Sequence, residues 1–167
     1  MKQIFIATSL MIMLMGCHSQ KKSMEENKVT ISNCPNTGTC KFEVFENKKL
    51  VLNTDVTDKI YYAFEDNVGS NVYVYQYNKI TEPELVDAGY REEVLFELDQ
   101  NMAKINLEDK NLQEIKLVFG VMCFCRGKAG NYQVLSGKFS YDSQNVSIEL
   151  PDIVPDQILH NINIDLK

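Results

Sequence analysis

Apolar and polar residues alternate with a period of two along most of the chain beyond residue 28. The longest alternating run covers residues 113–126, and every odd position from 115 to 125 is apolar. Because successive side chains of a strand point to opposite faces, this run predicts a strand with one uniformly apolar face. That face comprises Ile115, Leu117, Phe119, Val121, Cys123 and Cys125. Both cysteines are therefore expected to face the protein interior.

A second clear run covers residues 90–99, where three apolar positions alternate with three charged ones. The apolar set is Val94, Phe96 and Leu98, and the charged set is Arg91, Glu93 and Glu97. This pattern predicts a strand with one buried side and one side in solvent. Shorter runs occur near residues 41–44, 49–53, 59–65, 72–78, 139–141, 146–150 and 158–166. The polar residues 142–145 between two of these runs predict a hairpin turn.

About nine short strands, separated by Gly, Asn and Pro, predict an all-β domain of antiparallel strands. We expect an immunoglobulin-like β-sandwich, with a closed antiparallel β-barrel as the second choice. No segment shows a convincing helical period, and no internal repeat or second domain is evident. Residues 29–167 are therefore predicted to form a single β-sandwich domain.

The first 16 residues have the pattern of an export signal. Lys2 precedes an apolar run over residues 4–15, which is shorter than the roughly 18 residues that a membrane-spanning helix needs. The run ends in Leu14-Met15-Gly16-Cys17, which resembles the lipobox of bacterial lipoproteins. The resemblance implies cleavage before Cys17 and attachment of three acyl chains, palmitate among them, to that residue. Two or more acyl chains hold a protein durably at a membrane.

Residues 17–28 follow as the lipidated cysteine and a polar segment without hydrophobic period, which we interpret as a flexible tether. In the lipoprotein family the residue after the cysteine helps to decide sorting. His18 takes this place here, instead of the acidic residue that favours inner-membrane retention. The resemblance therefore implies a lipid anchor in the outer membrane of a Gram-negative bacterium, facing the periplasm or the surface.

The charge balance argues against nucleic acid as a partner. Removing residues 1–16 takes away one of the 17 cations, Lys2, so that 16 cations face 23 acids in the mature chain. No basic stripe is available to neutralise phosphates. The expected partners are the membrane, through the lipid, and an envelope protein or glycan.

Four cysteines remain after Cys17 is assigned to the lipid, and an even number in an exported chain predicts disulfides. Residues i and i+2 of an extended strand have Cα atoms about 6.5 to 7 Å apart, with parallel side chains. The favoured prediction therefore joins Cys34 and Cys40 each to one of Cys123 and Cys125. Each such crosslink would close a loop of roughly 85 to 90 residues and contribute about 4 to 5 kcal/mol.

Two alternatives for these cysteines stay open. In one, Cys34 bonds to Cys40 and leaves Cys123 and Cys125 as a separate redox or strained pair. In the other, four thiolates hold zinc, although their spacings differ from those of the usual zinc knuckle. We expect no metal and no cofactor.

The sequence provides little support for catalysis, because His18 lies in the tether and His160 is the only histidine of the domain. The motifs G-x-S-x-G and H-E-x-x-H and a phosphate-binding glycine loop are absent. Tyr73, Tyr75 and Tyr77 share one face of a predicted strand and are a candidate binding face, unless they pack against neighbouring strands. The expected function is a non-catalytic binding or accessory role in the cell envelope. The alternative is a thiol-redox or other envelope enzyme that uses Cys123 and Cys125.

Overall fold

Ten strands and one short 3₁₀ helix form the part of the chain that the computed structural model describes, residues 29–82 and 88–166. The 3₁₀ helix covers Asp109–Ile115. The predicted signal, Cys17 and the tether lie outside the described residues. The strands are β1 (Thr30–Ser32), β2 (Gly38–Thr54), β3 (Ile60–Lys79), β4 (Tyr90–Asp99), β5 (Lys104–Glu108), β6 (Val118–Cys123), β7 (Gly130–Gln133), β8 (Lys138–Asp142), β9 (Asn145–Glu149) and β10 (Asn161–Asp165).

The strands form two antiparallel five-stranded sheets that pack face to face. The strand order is β1-β10-β9-β8-β5 in the first sheet and β2-β3-β4-β6-β7 in the second. Apolar side chains from both sheets meet in one buried core. The first sheet contributes Leu107, Phe139, Val146, Ile148, Ile162 and Ile164, and the second contributes Tyr75, Tyr77, Val94, Phe96, Phe119 and Val121, among others. The predicted antiparallel β-sandwich is confirmed.

The strand predicted over residues 113–126 is wrong at both ends. Residues Asp109–Ile115 form the 3₁₀ helix, and Lys116 ends it in the left-handed conformation with φ of 51°. Leu112 and Ile115, three residues apart, lie on one side of this helix and are buried in the core. The apolar alternation therefore included a helical residue, and the strand itself covers only Val118–Cys123.

The hairpin of β2 and β3 is longer than any single predicted run, because each strand joins two of them. Their register breaks between Glu46 and Lys48, where Asn47 faces the segment 67–70. Asn47 and Gly69 both have positive φ, at 55° and 112°. Such a bulge bends the strands. We call the outer half of the hairpin, residues 48–66, the hairpin arm.

The hairpin arm covers the outer face of the second sheet, the side opposite the sandwich core. A second apolar cluster fills the space below it, formed by the buried residues Leu50, Val72, Val74, Leu95 and Val118 with Phe45, Leu52, Tyr62 and Phe64 packed against them. Near the end of the arm, Ile60 pairs with Asn131 of β7. The predicted solvent side of β4 is therefore covered, and the Glu93 side chain on it is fully buried.

Polar partners compensate the carboxylates that the hairpin arm covers. Glu93 accepts a hydrogen bond from the Tyr62 hydroxyl at 2.7 Å, and Arg91 Nε lies 3.6 Å from it. Glu97 accepts from the Leu50 N–H at 2.7 Å and from Lys116 Nζ at 2.6 Å. Because a buried charge without partners is strongly unfavourable, these contacts allow charged residues to lie under an apolar arm.

The turn between β8 and β9 forms where the sequence predicts it. Asp142 and Asn145 flank the two-residue turn between β8 and β9, which confirms the hairpin predicted there. Oδ1 of Asp142 accepts the N–H groups of Gln144 at 3.1 Å and Asn145 at 2.8 Å. This side chain therefore holds the turn in the way that makes Asp common in such positions.

Candidate functional site

The three tyrosines of the candidate binding face lie in the sandwich core. Tyr73 is 7% exposed, Tyr75 is 1% exposed and Tyr77 is fully buried. The Tyr77 hydroxyl lies 2.8 Å from Oγ1 of Thr37 at the edge of the core. The prediction that they share one face is correct, but that face is turned toward the first sheet. They therefore form no exposed platform for a sugar or protein.

The cysteines are joined to their near neighbours in the sequence, so the favoured long-range pairing is wrong. Cys34 bonds to Cys40 and Cys123 bonds to Cys125. Two strands, β3 and β4, separate Cys40 in β2 from Cys123 in β6. At a spacing of about 4.8 Å between adjacent strands, Cys40 lies too far from Cys123 for a disulfide.

This local pairing reduces the contribution of the crosslinks to stability. The bonded residues are separated by 6 and 2 positions in the sequence. In the chain-entropy model, loops of this length stabilise the fold by about 2 kcal/mol each, compared with the 4 to 5 kcal/mol of a long loop. Most of the stability of the sandwich must therefore come from its two apolar clusters.

The Cys123–Cys125 bond forms where the chain leaves β6. The strand ends at Cys123, and the backbone bends at Phe124. The two cysteine Cα atoms are 5.2 Å apart, which is shorter than an extended strand allows and within the usual disulfide range. The expectation of a parallel, unbonded pair failed because it assumed that the strand continued to residue 126.

An open cleft of about 460 Å³ lies next to this disulfide. Its described lining includes the end of β3 with Lys79 and Ile80, the start of β4 with Tyr90, and the segment 123–125. Phe124 is 90% exposed and Ile80 is 65% exposed. Because two large exposed apolar side chains lie beside a concave surface here, the cleft is a candidate binding site.

The wall of the cleft at Tyr90 is held by several contacts. The Tyr90 hydroxyl donates to Glu92, and burial together with this hydrogen bond raises the pKa of Tyr90 above its usual range. Lys128 Nζ lies 5.7 Å from the centre of the Tyr90 ring and 3.2 Å from Oδ2 of Asp156. Lys128 belongs to the segment 124–129 that connects β6 to β7. These contacts fix the cleft wall beside the disulfide.

Glu92 and Glu93 are buried acids, although the sequence pattern places Glu93 on the solvent side of the strand and assigns Glu92 to neither face. Both are fully buried, and they point to opposite faces of β4. Glu92 accepts the backbone N–H groups of Ile158 at 2.8 Å and Leu159 at 2.7 Å, and thereby holds the segment before β10. Because the two carboxylates lie on different faces, they do not form an acid–base pair.

His160 is half-buried and satisfied by neighbours. Its Nε2 lies 3.2 Å from the Gln157 carbonyl oxygen, and its Nδ1 lies 3.6 Å from Asp152. Within residues 29–82 and 88–166, no group of three or more His, Cys, Asp and Glu side chains is placed to hold a metal ion. His160 therefore lies just before β10, with both ring nitrogens close to a neighbouring oxygen.

A helix with the length and apolar character needed to cross a membrane is absent from the described part of the chain. Comparison of the chain with protein-family models, with curated proteins and with solved structures finds no match.

Proposed function

We propose that the chain is a lipid-anchored lipoprotein of the Gram-negative outer membrane that binds an envelope protein through the cleft beside Cys123–Cys125. The role is non-catalytic binding or an accessory function. The observation that carries the proposal is the exposure of Phe124, at 90%, on the edge of this cleft. The lipobox-like sequence that ends at Cys17 supports the anchor.

A protein fits this cleft better than a glycan does. The tyrosines of β3 were the candidate face for stacking a sugar, and they are buried in the core. The exposed side chains at the cleft are instead Phe124 and Ile80, which match apolar side chains of a partner.

The length of the tether limits where such a partner is found. Residues 18–28 provide 11 residues between the lipidated cysteine and the first described residue. A fully extended chain spans at most about 3.5 Å per residue, so the domain lies within about 40 Å of the membrane. The partner is therefore expected to be a membrane protein or a protein close to the membrane surface.

Two measurements test the proposal. Cys17→Ser should move the chain from the membrane fraction to the soluble fraction of the envelope. A photoreactive residue at position 124, introduced in intact cells, should give a discrete crosslinked product. The matched control is position 144, which is exposed in the turn between β8 and β9. Identical products from both positions, or no product from position 124, would contradict cleft binding. Surface proteolysis of the same cells would show whether the domain faces the periplasm or the cell surface.

One observation favours a second function. The two cysteines at the cleft are bonded to each other, instead of to Cys34 and Cys40. This leaves a local disulfide next to an open cleft, and access to a sulfur is one condition for thiol–disulfide exchange.

A further inference from the structure

We infer that the Cys123–Cys125 disulfide exchanges with cysteine thiols of the protein that occupies the cleft. The inference rests on the proposed cleft binding and adds a chemical reaction to it. The substrate class is a protein segment with two cysteine thiols and apolar neighbouring residues. The disulfide and the cleft supply one argument each for this assignment.

The first argument is that the disulfide is not needed to hold this part of the fold. Cys123 is paired with Tyr90 of β4, and Val121 is paired with Gly130 of β7. The connection between β6 and β7 is also tied down by Lys128, which contacts Asp156. Backbone pairing and this ion pair therefore fix both ends of the segment. The bond between residues 123 and 125 adds no link between parts of the fold that these contacts do not already hold together.

The second argument is access. Cys123 packs against the sandwich core on its inner side, whereas Cys125 lies beyond the end of β6 in a segment that runs on the surface. Phe124 between them is exposed, and both cysteines line the cleft. Both cysteines are partly buried, and because Cys123 packs against the core, we assign the attack to Sγ of Cys125.

The charge near the disulfide also suits the reaction. Arg126 follows Cys125 directly and is exposed. A cation next to the disulfide in the sequence attracts an incoming thiolate. Phe124 and Ile80 add apolar contacts that free small thiols cannot use fully, which favours a peptide segment as the substrate.

The reaction balances as follows. A substrate thiolate attacks Sγ of Cys125 and forms a new S–S bond, while the Cys123–Cys125 bond breaks and Cys123 leaves as a thiolate that takes up a proton. The second substrate thiolate attacks the substrate sulfur of this mixed disulfide and releases Cys125, which is also protonated. The substrate dithiol loses two electrons and two protons, and the two cysteines gain them. A disulfide of a carrier protein or oxidised glutathione restores the pair by the reverse sequence.

The first test compares the two disulfides of the same molecule. The full chain, purified from membranes in detergent, is incubated with reduced glutathione, acid-quenched and alkylated, and each cysteine is followed by peptide mass spectrometry. Cys123 and Cys125 should become alkylated at least about tenfold faster than Cys34 and Cys40, which serve as the internal control. Equal rates, faster opening of Cys34–Cys40, or resistance of both bonds would overturn the inference.

The second test identifies the reactive sulfur. A hexapeptide with one cysteine among leucines, blocked as its glutathione mixed disulfide, is offered to the reduced variants Cys123→Ser and Cys125→Ser. Cys123→Ser retains Cys125 and should form the peptide adduct about tenfold faster than Cys125→Ser. The same peptide with glutamates in place of leucines should react more slowly. Equal rates for the two variants would overturn the assigned order of attack. Equal rates for the two peptides would overturn the assigned substrate class.

A third measurement separates this inference from the binding proposal. The double variant Cys123→Ser, Cys125→Ser carries the photoreactive residue at position 124. If it still crosslinks its partner while the wild-type disulfide fails to exchange, only the exchange reaction is overturned. If neither the double variant nor the wild type crosslinks, the protein substrate and the binding proposal fall together.

Discussion

The Tyr62 hydroxyl donates a hydrogen bond of 2.7 Å to Oε1 of Glu93, and this contact joins the hairpin arm to the outer face of the second sheet. Glu93 is fully buried, so its carboxylate depends on the partners that the arm and the sheet provide. Burial and the Glu93 hydrogen bond raise the pKa of the Tyr62 hydroxyl above its usual range. The tyrosine therefore stays neutral and remains a donor at physiological pH.

Tyr62→Phe should lower the free energy of unfolding by about 1 to 3 kcal/mol, because it removes a donor from a buried carboxylate. The matched control is Tyr61→Phe, since Tyr61 is the neighbouring residue, points to the other side and is 51% exposed. Denaturant unfolding of both variants measures the difference. Equal losses would show that the hydrogen bond to Glu93 contributes nothing specific.

Glu92→Ala should destabilise the fold by about 3 kcal/mol or more, because two backbone N–H groups would lose their buried acceptor. These donors belong to Ile158 and Leu159, at 2.8 and 2.7 Å. Glu114→Ala, at an exposed position, should change the stability by less than about 0.5 kcal/mol. Thermal and denaturant unfolding provide the measurement. A near-neutral Glu92→Ala would mean that the segment before β10 is held by other contacts.

Gly120→Ala tests the tight packing under the hairpin arm. A Cβ at Gly120 would lie 2.8 Å from Oδ1 of Asn131 and 2.9 Å from Cγ of Glu93, whereas one at Gly89 would meet nothing within 4 Å. We expect Gly120→Ala to cost about 1 to 3 kcal/mol and Gly89→Ala to cost much less. Unfolding free energies of the two alanine variants make the comparison. A tolerated Gly120→Ala would show that the side chains of Asn131 and Glu93 move aside easily.

Stability should fall at alkaline pH because of Tyr75. Burial raises the pKa of Tyr75 to about 12, above its ordinary value of about 10. The unfolded chain therefore loses this proton first, and the contribution of Tyr75 is complete below pH 10 and declines between about pH 10 and pH 12. The slope is about 1.4 kcal/mol per pH unit in that window. Tyr75→Phe should remove this part of the decline between about pH 10 and pH 12, and unchanged pH dependence would contradict the assignment.

Replacing Cys34 and Cys40 together with alanine should lower the unfolding free energy by about 2 kcal/mol, as expected for a short loop. The double replacement at Cys123 and Cys125 should have a smaller effect, because that loop is shorter. Denaturant unfolding under non-reducing conditions measures both. A loss of 4 kcal/mol or more for either pair would point to a long-range crosslink in solution.

Period-two alternation was sufficient to predict the sandwich and several individual strands. The run over residues 90–99 matches β4, and the turn at Asp142 and Asn145 is correct. Alternation reports only which positions share a face, and it does not identify what covers that face. The tyrosines of β3 and the acids of β4 were therefore placed on the correct sides, but with the wrong neighbours.

The cysteine site was missed for a related reason. The disulfide prediction depended on where β6 ends, and the apolar parity of Cys125 suggested that the strand continues. The signal that was available is the segment after Arg126, where Gly127 and Gly130 are typical of a turn between two strands. The bulge at Asn47 gave no comparable sequence pattern, because its position is set by the contact of the hairpin arm with β4 and β7.

The neighbour-to-neighbour pairing of the cysteines has a consequence for maturation. A chain that enters an oxidising compartment with its N-terminus first presents Cys34 and Cys40 well before Cys123 and Cys125. Oxidation in the order of emergence therefore produces the native connectivity directly, one of the three that four cysteines allow. A chain oxidised in this order needs no isomerase to correct its bonds.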